Sequence, residues 1–198
     1  MSRFFFSDDK KFSKTFSDFL IKRRNKNSSV SKRVSNIISK IRSEGDLALS
    51  HYTKKFDRFN IQENGLFFSD KEIENSGSLV SKEDKDALKI AIKRITDYHK
   101  KQMPKDKFWT DKTGARLGWI WKPIEKAGVY VPGGKASYPS SALMNIIPAK
   151  IAGVKDLILT SPTPKGQFNP MILYIAKLLG IKKVIRVGGA QAIAALAL

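Results

Sequence analysis

Two pairs of adjacent glycines, Gly133–Gly134 and Gly188–Gly189, each follow a short apolar, β-prone run, and they are where this 198-residue chain could bind a ligand through its backbone. Glycine lets main-chain amides approach a phosphate or a nucleotide closely, so turns of this kind at strand ends can hold such a group. Neither turn belongs to a G-x-G-x-x-G or G-x-x-x-x-G-K-[ST] pattern, and glycines that merely end strands fit the same spacing. Lys135, in PGGKAS, could meet an anion there or could simply be solvated. The side chains offer less. His51 and His99 are the only histidines, lie far apart and belong to no H-E-x-x-H spacing, so they read as helix-surface or packing residues. Glu83, Asp84 and Asp86 stand where a helix begins, and the macrodipole there favours carboxylates without any acid/base role. Ser140 and Ser141 have no nucleophile-elbow context. Cysteine is absent, which removes disulfides and thiolate metal ligands. Residue types and spacing therefore leave open a ligand-binding end or plain strand-ending turns, and offer no catalytic set and no metal-ligand set.

The elements that must position those glycines follow a repeating order. From Gly128 to Leu198 the chain reads strand, Gly/Pro turn, helix, three times over, which predicts an α/β fold with a Rossmann-like parallel sheet and crossover helices. Val129–Val131, Leu157–Leu159 and Val184–Val187 are the strands. Ser140 or Ser141 is expected to cap a helix that Pro148 kinks and Gly153 ends. Asn169 followed by Pro170 starts the next helix and Gly180 stops it. Gly188 and Gly189 lead into an alanine-rich helix. Ligands of open α/β sheets sit beyond the carboxyl ends of the strands, which here are PGGKAS, TSPTP and VGGAQ.

Upstream the pattern is mainly helical. Phe12, Phe16, Phe19 and Leu20 recur at helical spacing as a docking arm. Lys22–Ser31, basic and rich in Asn and Ser, reads as a mobile loop. A helix from Val34 to Tyr52 is interrupted near Gly45, Gly65–Phe68 is a short strand, and Asp70 caps a brief helix. Ser81 and Asp84 form a capping-box variant opening the longest helix, which runs to about Met103 with Leu88, Ile92, Ile95 and His99 on one face. Lys105–Gly114 is a polar connector, dividing the chain into a helical extension, residues 1–110, and an α/β half-domain, residues 111–198. Arg116–Trp121 and Ala127–Val131 are expected to pair as antiparallel strands around Pro123.

Composition sets outer limits. No apolar run approaches the roughly 20 residues of a membrane-spanning helix. The formal charge of +19 is the one feature that points towards nucleic acid. Residues 1–60 hold 15 Lys/Arg against 6 Asp/Glu and residues 121–198 hold 10 against 2, so the excess is spread along the chain. A nucleic-acid module more often gathers its charge on one face.

Several segments carry a specific resemblance. GWIWKPIEKAGVYVPGG, YPSSALMNIIPAKIAGVKDLILTSP and RVGGAQAIAALA, with IRSEGDLALSHYTKKFD and AIKRITDYHKKQ upstream, resemble histidinol dehydrogenases, zinc- and NAD-dependent enzymes that make histidine from histidinol. The likeness runs from about Ser35 to Leu198. It implies a family fold of two Rossmann-like domains with helical extensions, working as an intertwined homodimer in the cytoplasm. It also implies that Tyr130, the tyrosine of YVPGG, and Gln191, the glutamine of GGAQ, contact NAD. Their plain alternatives are a core tyrosine and a helix-capping glutamine. By the same resemblance, the family's G-P-G-N asparagine, zinc ligands, Glu–His acid/base pair and carboxyl-terminal tail all fall after Leu198. The expectation is thus an amino-terminal portion of the family fold, incomplete and inactive alone. The alternatives are a noncatalytic, vestigial folded chain and a basic nucleic-acid-binding protein.

Overall fold

The structure, a computed structural model, describes residues 5–26, 28–133 and 138–198. The amino-terminal helices are α1 (Phe12–Lys26), α2 (Ser28–Glu44), α3 (Asp46–Asp57), α4 (Ile61–Asn64), α5 (Asp70–Asn75) and α6 (Lys82–Lys100). Helix therefore covers most of Lys22–Ser31, where a loop was expected: that segment contains neither Gly nor Pro, and its straight-chain basic residues lose little rotamer freedom in a helix. The interruption at Gly45 is present, with φ +56 between α2 and α3. On α1 Phe12 stacks on Phe16, and Phe5, ahead of the helix, packs against Phe16 and Phe19.

Capping explains where α5 and α6 begin. Ser69, one residue before the expected Asp70, caps α5 in a full capping box with Glu72. At α6 the Asp84 amide donates to Ser81 Oγ at 3.0 Å, as the sequence predicts. That helix ends at Lys100, three residues short of Met103, in a turn in which the Gln102 amide donates to the His99 carbonyl.

Two strands, β1 (Lys107–Thr110) and β2 (Arg116–Trp119), form an antiparallel ribbon of their own, with Lys107 opposite Trp119. This corrects both the polar connector and the pairing of Arg116–Trp121 with Ala127–Val131. Asp111 Oδ1 accepts from the amides of Thr113 (2.8 Å) and Ala115 (3.0 Å), and Gly114 takes φ +88, so DKTG closes a hairpin locally.

The remainder alternates as predicted: β3 (Lys126–Tyr130), α7 (Pro139–Ala152), β4 (Asp156–Thr160), α8 (Pro170–Leu178), β5 (Lys183–Ile185) and α9 (Gly189–Ala197). The three strands are parallel, in the order β3-β4-β5. Gly65–Phe68 contributes an isolated antiparallel bridge, Phe67 opposite Ile185, in place of a strand. The Phe68 amide donates to Val184 O and the Arg186 amide to Leu66 O, each at 2.9 Å, so this short segment covers the outer edge of β5. Val187 lies past β5, buried. Helix α7 starts at Pro139, not under a serine cap, because a proline at the first position needs no amide partner; it continues unbroken through Pro148 and ends at Gly153 with φ +93. Asn169 caps α8 as expected, its side chain accepting from the Met171 amide at 2.9 Å.

Alternation along the strands sends side chains to two cores. Val129, Val131, Leu157, Leu159 and Val184 pack with α6, α7 and α8 on one face. Tyr130, Ile185 and Val187 pack on the other with Ile37 and Ile41 of α2, Ala48, Leu49 and Tyr52 of α3, and Ala192 and Ala194 of α9. The first core crosses residue 110, since Phe68, Ile73, Val80 and Leu88 join it.

Candidate functional site

The carboxyl ends of the three strands meet around Pro162. A Cβ built on Gly133 would come within 2.3 Å of Pro162 Cγ, and one on Gly188 within 2.3 Å of Pro162 Cβ. Those two glycines are therefore required by packing: they let the first and third strand-end turns close on the second. Thr160 Oγ1 donates to the Val187 carbonyl at 2.5 Å and Thr163 Oγ1 to the Arg186 carbonyl at 3.2 Å, fixing the third turn from the middle one.

Gly189 is different. Its φ is +70, and a Cβ there would lie 2.7 Å from Gln191 Oε1. Its amide donates to Tyr130 Oη at 3.2 Å. Tyr130 and Gln191, placed together only by the family resemblance, are thus neighbours across one glycine, the tyrosine half-buried and the glutamine 2 % exposed. Tyr130 Oη accepts from Gly189 and keeps its own proton to donate, while the Gln191 amide carries both a donor and an acceptor.

A carboxyl group that the sequence reading passed over sits behind this turn. Asp57 closes α3, and the next residue, Arg58, is in the left-handed region at φ +53. Asp57 is half-buried; burial pushes its pKa up, and the Gly188 amide partly opposes that rise. Its Oδ2 is buried without a hydrogen-bond partner. Nothing in the FDRFN sequence ties Asp57 to Gly188; only the packing of α3 on α9 does.

The approach to the turn is held from its other side by Arg186. Its guanidinium donates to both Glu72 oxygens, at 2.5 and 2.6 Å, and lies 4.0 Å from the Phe68 ring centre. Burial works to raise the Glu72 pKa, but hydrogen bonds from Ser69 and Arg186 and the guanidinium charge outweigh it and hold the carboxyl below its ordinary range.

The other sequence candidates stay apart from this turn. His51 is exposed on α3. His99 is half-buried near the end of α6, its Nδ1 2.7 Å from Gln102 Oε1. Glu83 and Asp84 lie in the first turn of α6, and Asp86 pairs with Lys89 at 3.1 Å. Ser140 and Ser141 lie in the first turn of α7. Gly134 and Lys135 lie outside the described residues. Among the described residues no group of three or more His, Asp or Glu side chains could hold a metal ion.

Comparison with known proteins places this geometry in context. The histidinol dehydrogenase family model matches residues 20–198. The histidinol dehydrogenase of Cereibacter sphaeroides is 49 % identical over 186 residues, which are 94 % of this chain and 43 % of that protein. The one from Ruegeria pomeroyi is 47 % identical over 197 residues, 100 % of this chain and 46 % of that protein. The crystal structure of histidinol dehydrogenase from Elizabethkingia anophelis superposes with a TM-score of 0.78 at 37 % identity, covering 84 % of this chain and 38 % of that one. The chain spans less than half the length of the curated relatives it matches. With a family match across residues 20–198 and a shared fold, the chain belongs to the histidinol dehydrogenase family.

Proposed function

We propose that this chain is the cofactor-side, amino-terminal portion of a histidinol dehydrogenase, an enzyme that oxidises histidinol to histidine in two NAD-dependent steps, and that Tyr130 and Gln191 contact the NAD. The observation that carries the reading is their meeting across Gly189 at the carboxyl ends of a parallel sheet, where α/β proteins bind nucleotides. The donor set suits such a ligand. NAD, when bound, supplies the hydride acceptor. Tyr130 offers a ring face and a free hydroxyl proton, and the Gly189 turn offers backbone short of side chains. Gln191 lies beneath that turn, 2 % exposed, with its side-chain amide beside Gly189. Within this proposal residues 1–110 are the helical extension and 111–198 the NAD-side half-domain. Cytoplasmic location, homodimeric assembly, histidinol as substrate and zinc as the enzyme's metal come from the same resemblance. The described residues do not fit a zinc site. No helix among them is long and apolar enough to cross a membrane.

Calorimetric titration with NAD tests the reading. One strand-end turn supplies few contacts, so the expected Kd is on the order of 0.1–1 mM, about 4.1–5.5 kcal/mol. Tyr130→Ala and Gln191→Ala should each weaken binding about tenfold, about 1.4 kcal/mol. Parental affinity in both variants would overturn the assignment. Residues 1–198 by themselves should form no NADH from histidinol, even with added zinc, because the described residues hold no preorganised ligand set to orient the substrate.

A further inference from the structure

Thr160 ends β4 and is 1 % exposed. A buried hydroxyl costs stability unless it is hydrogen-bonded, and this one donates to the Val187 carbonyl at 2.5 Å. Just before that point the Ser161 amide donates to the Ile185 carbonyl at 3.2 Å, main chain to main chain; at Val187 the donor is a side chain. Register places Thr160 directly between Tyr130 of β3 and Ile185 of β5, so the three side chains stand on one face of the sheet. From that face the row meets the following turn twice. Thr160 holds the Val187 carbonyl, part of the peptide unit that joins Val187 to Gly188. Tyr130 Oη accepts from the Gly189 amide at 3.2 Å, part of the unit that joins Gly188 to Gly189. A peptide unit is planar, so a hold on one of its polar atoms restrains the whole plane. The two planes flanking Gly188 are therefore held by neighbouring residues of one row, while Pro162, two residues past Thr160, fills the space a Gly188 side chain would need.

We propose that Thr160 is a positioning residue: its hydroxyl fixes the Val187–Gly188 peptide plane, and with it the meeting of the Gly189 amide with Tyr130. The consequence for ligand binding rests on the cofactor reading above; the hold on the turn does not. What the geometry asks of residue 160 is a hydrogen-bond donor on Cβ. Valine has nearly the shape of threonine without the donor. Serine keeps the donor without the methyl group.

The test compares Thr160→Val with Thr160→Ser by amide-resolved hydrogen exchange and NAD titration of the 198-residue chain. Thr160→Val should lose about tenfold in protection of the Gly189 amide, while amides in the middle of β4 stay protected. It should raise the Kd for NAD by a similar factor. Thr160→Ser should keep both at parental values. A role in packing alone predicts the reverse order, because valine fills the site and serine does not. Should Thr160→Val fail to fold, Thr160→Ala against Thr160→Ser makes the same comparison, since those two differ only by the hydroxyl. Parental Gly189 protection or parental NAD affinity in the variant without a hydroxyl would overturn the proposal, as would loss of either in Thr160→Ser. If NAD affinity ignores Tyr130→Ala and Gln191→Ala, the cofactor reading fails, and Gly189 exchange alone still decides whether Thr160 holds the turn.

Discussion

Gly189 concentrates three demands in one residue: a left-handed backbone, an amide free to reach Tyr130, and space for Gln191. A Cβ would violate the first and third together, because φ +70 is strained for an L-residue and Gln191 Oε1 would lie 2.7 Å away. Gly189→Ala should therefore cost about 1–3 kcal/mol of stability and weaken NAD binding, measured by urea unfolding and by titration. An unchanged midpoint with parental affinity would show that the turn adapts freely. Glu72 makes a pH-dependent prediction at the same scale. Its folded pKa is lowered, so the stability it contributes is present above the ordinary glutamate pKa and is lost as pH falls through the folded value. The Glu72 side chain remains 35 % exposed, which discounts the pair with Arg186 to about 1 kcal/mol. Glu72→Gln should be destabilised by that amount at neutral pH and should converge on the parent as the solution becomes strongly acid. A difference that stays constant with pH would place the effect in packing.

At the scale of elements, what was legible followed from local chemistry. The parallel strands stood out because Leu157–Leu159 is a continuous apolar run between helices, and α8 because Asn169–Pro170 is both cap and first turn. What failed needed partners distant in sequence. Trp119 and its neighbours read as a strand, but nothing in them said that Lys107–Thr110, lost in a polar stretch, was the partner and Ala127–Val131 was not. Asp57 is the same case at the site: its surroundings depend on α3 meeting α9. Tyr130 and Gln191 were named only through the family motifs, because composition and spacing alone left them as core and cap. The ribbon β1–β2 has its own prediction. A Cβ on Gly118 would lie 2.5 Å from the Lys107 carbonyl oxygen and 2.5 Å from Phe108 Cδ1, so Gly118→Val should unpair the two strands. All eight ribbon residues are exposed and none belongs to either core, so β3, β4 and β5 should be untouched. Hydrogen exchange should show protection lost at 107–119 and kept at 156–160; loss at both would mean that the ribbon supports the sheet.

The whole molecule exposes far more surface than its mass explains. Its accessible area is 14350 Å² at 22.2 kDa, where a compact monomer of that mass would show about 9,400 Å². Large apolar side chains are among what is exposed. On the ribbon and the segment after it, Trp119, Ile120, Trp121 and Ile124 are all exposed, Ile124 at 64 %. On α9 Ile193 is exposed, and just past it the exposed Leu198 lines a groove of about 440 Å³ together with Ile41, Leu49 and Ala195. Strand β3 pairs on one side only among the described residues, leaving an open edge. Such surfaces drive association, whereas the net charge of +19 opposes it. Salt decides which wins: the screening length shrinks from about 10 Å at 0.1 M to about 3 Å at 1 M, while apolar attraction is not screened. The 198-residue chain should therefore be dispersed at low salt and associate as salt rises through about 0.3 M, with an apolar-sensitive dye bound throughout. Light scattering across a salt series checks this, and a monodisperse monomer at 0.5 M salt that binds no dye would show that the exposed ribbon and the α9 face are covered in solution by the chain itself.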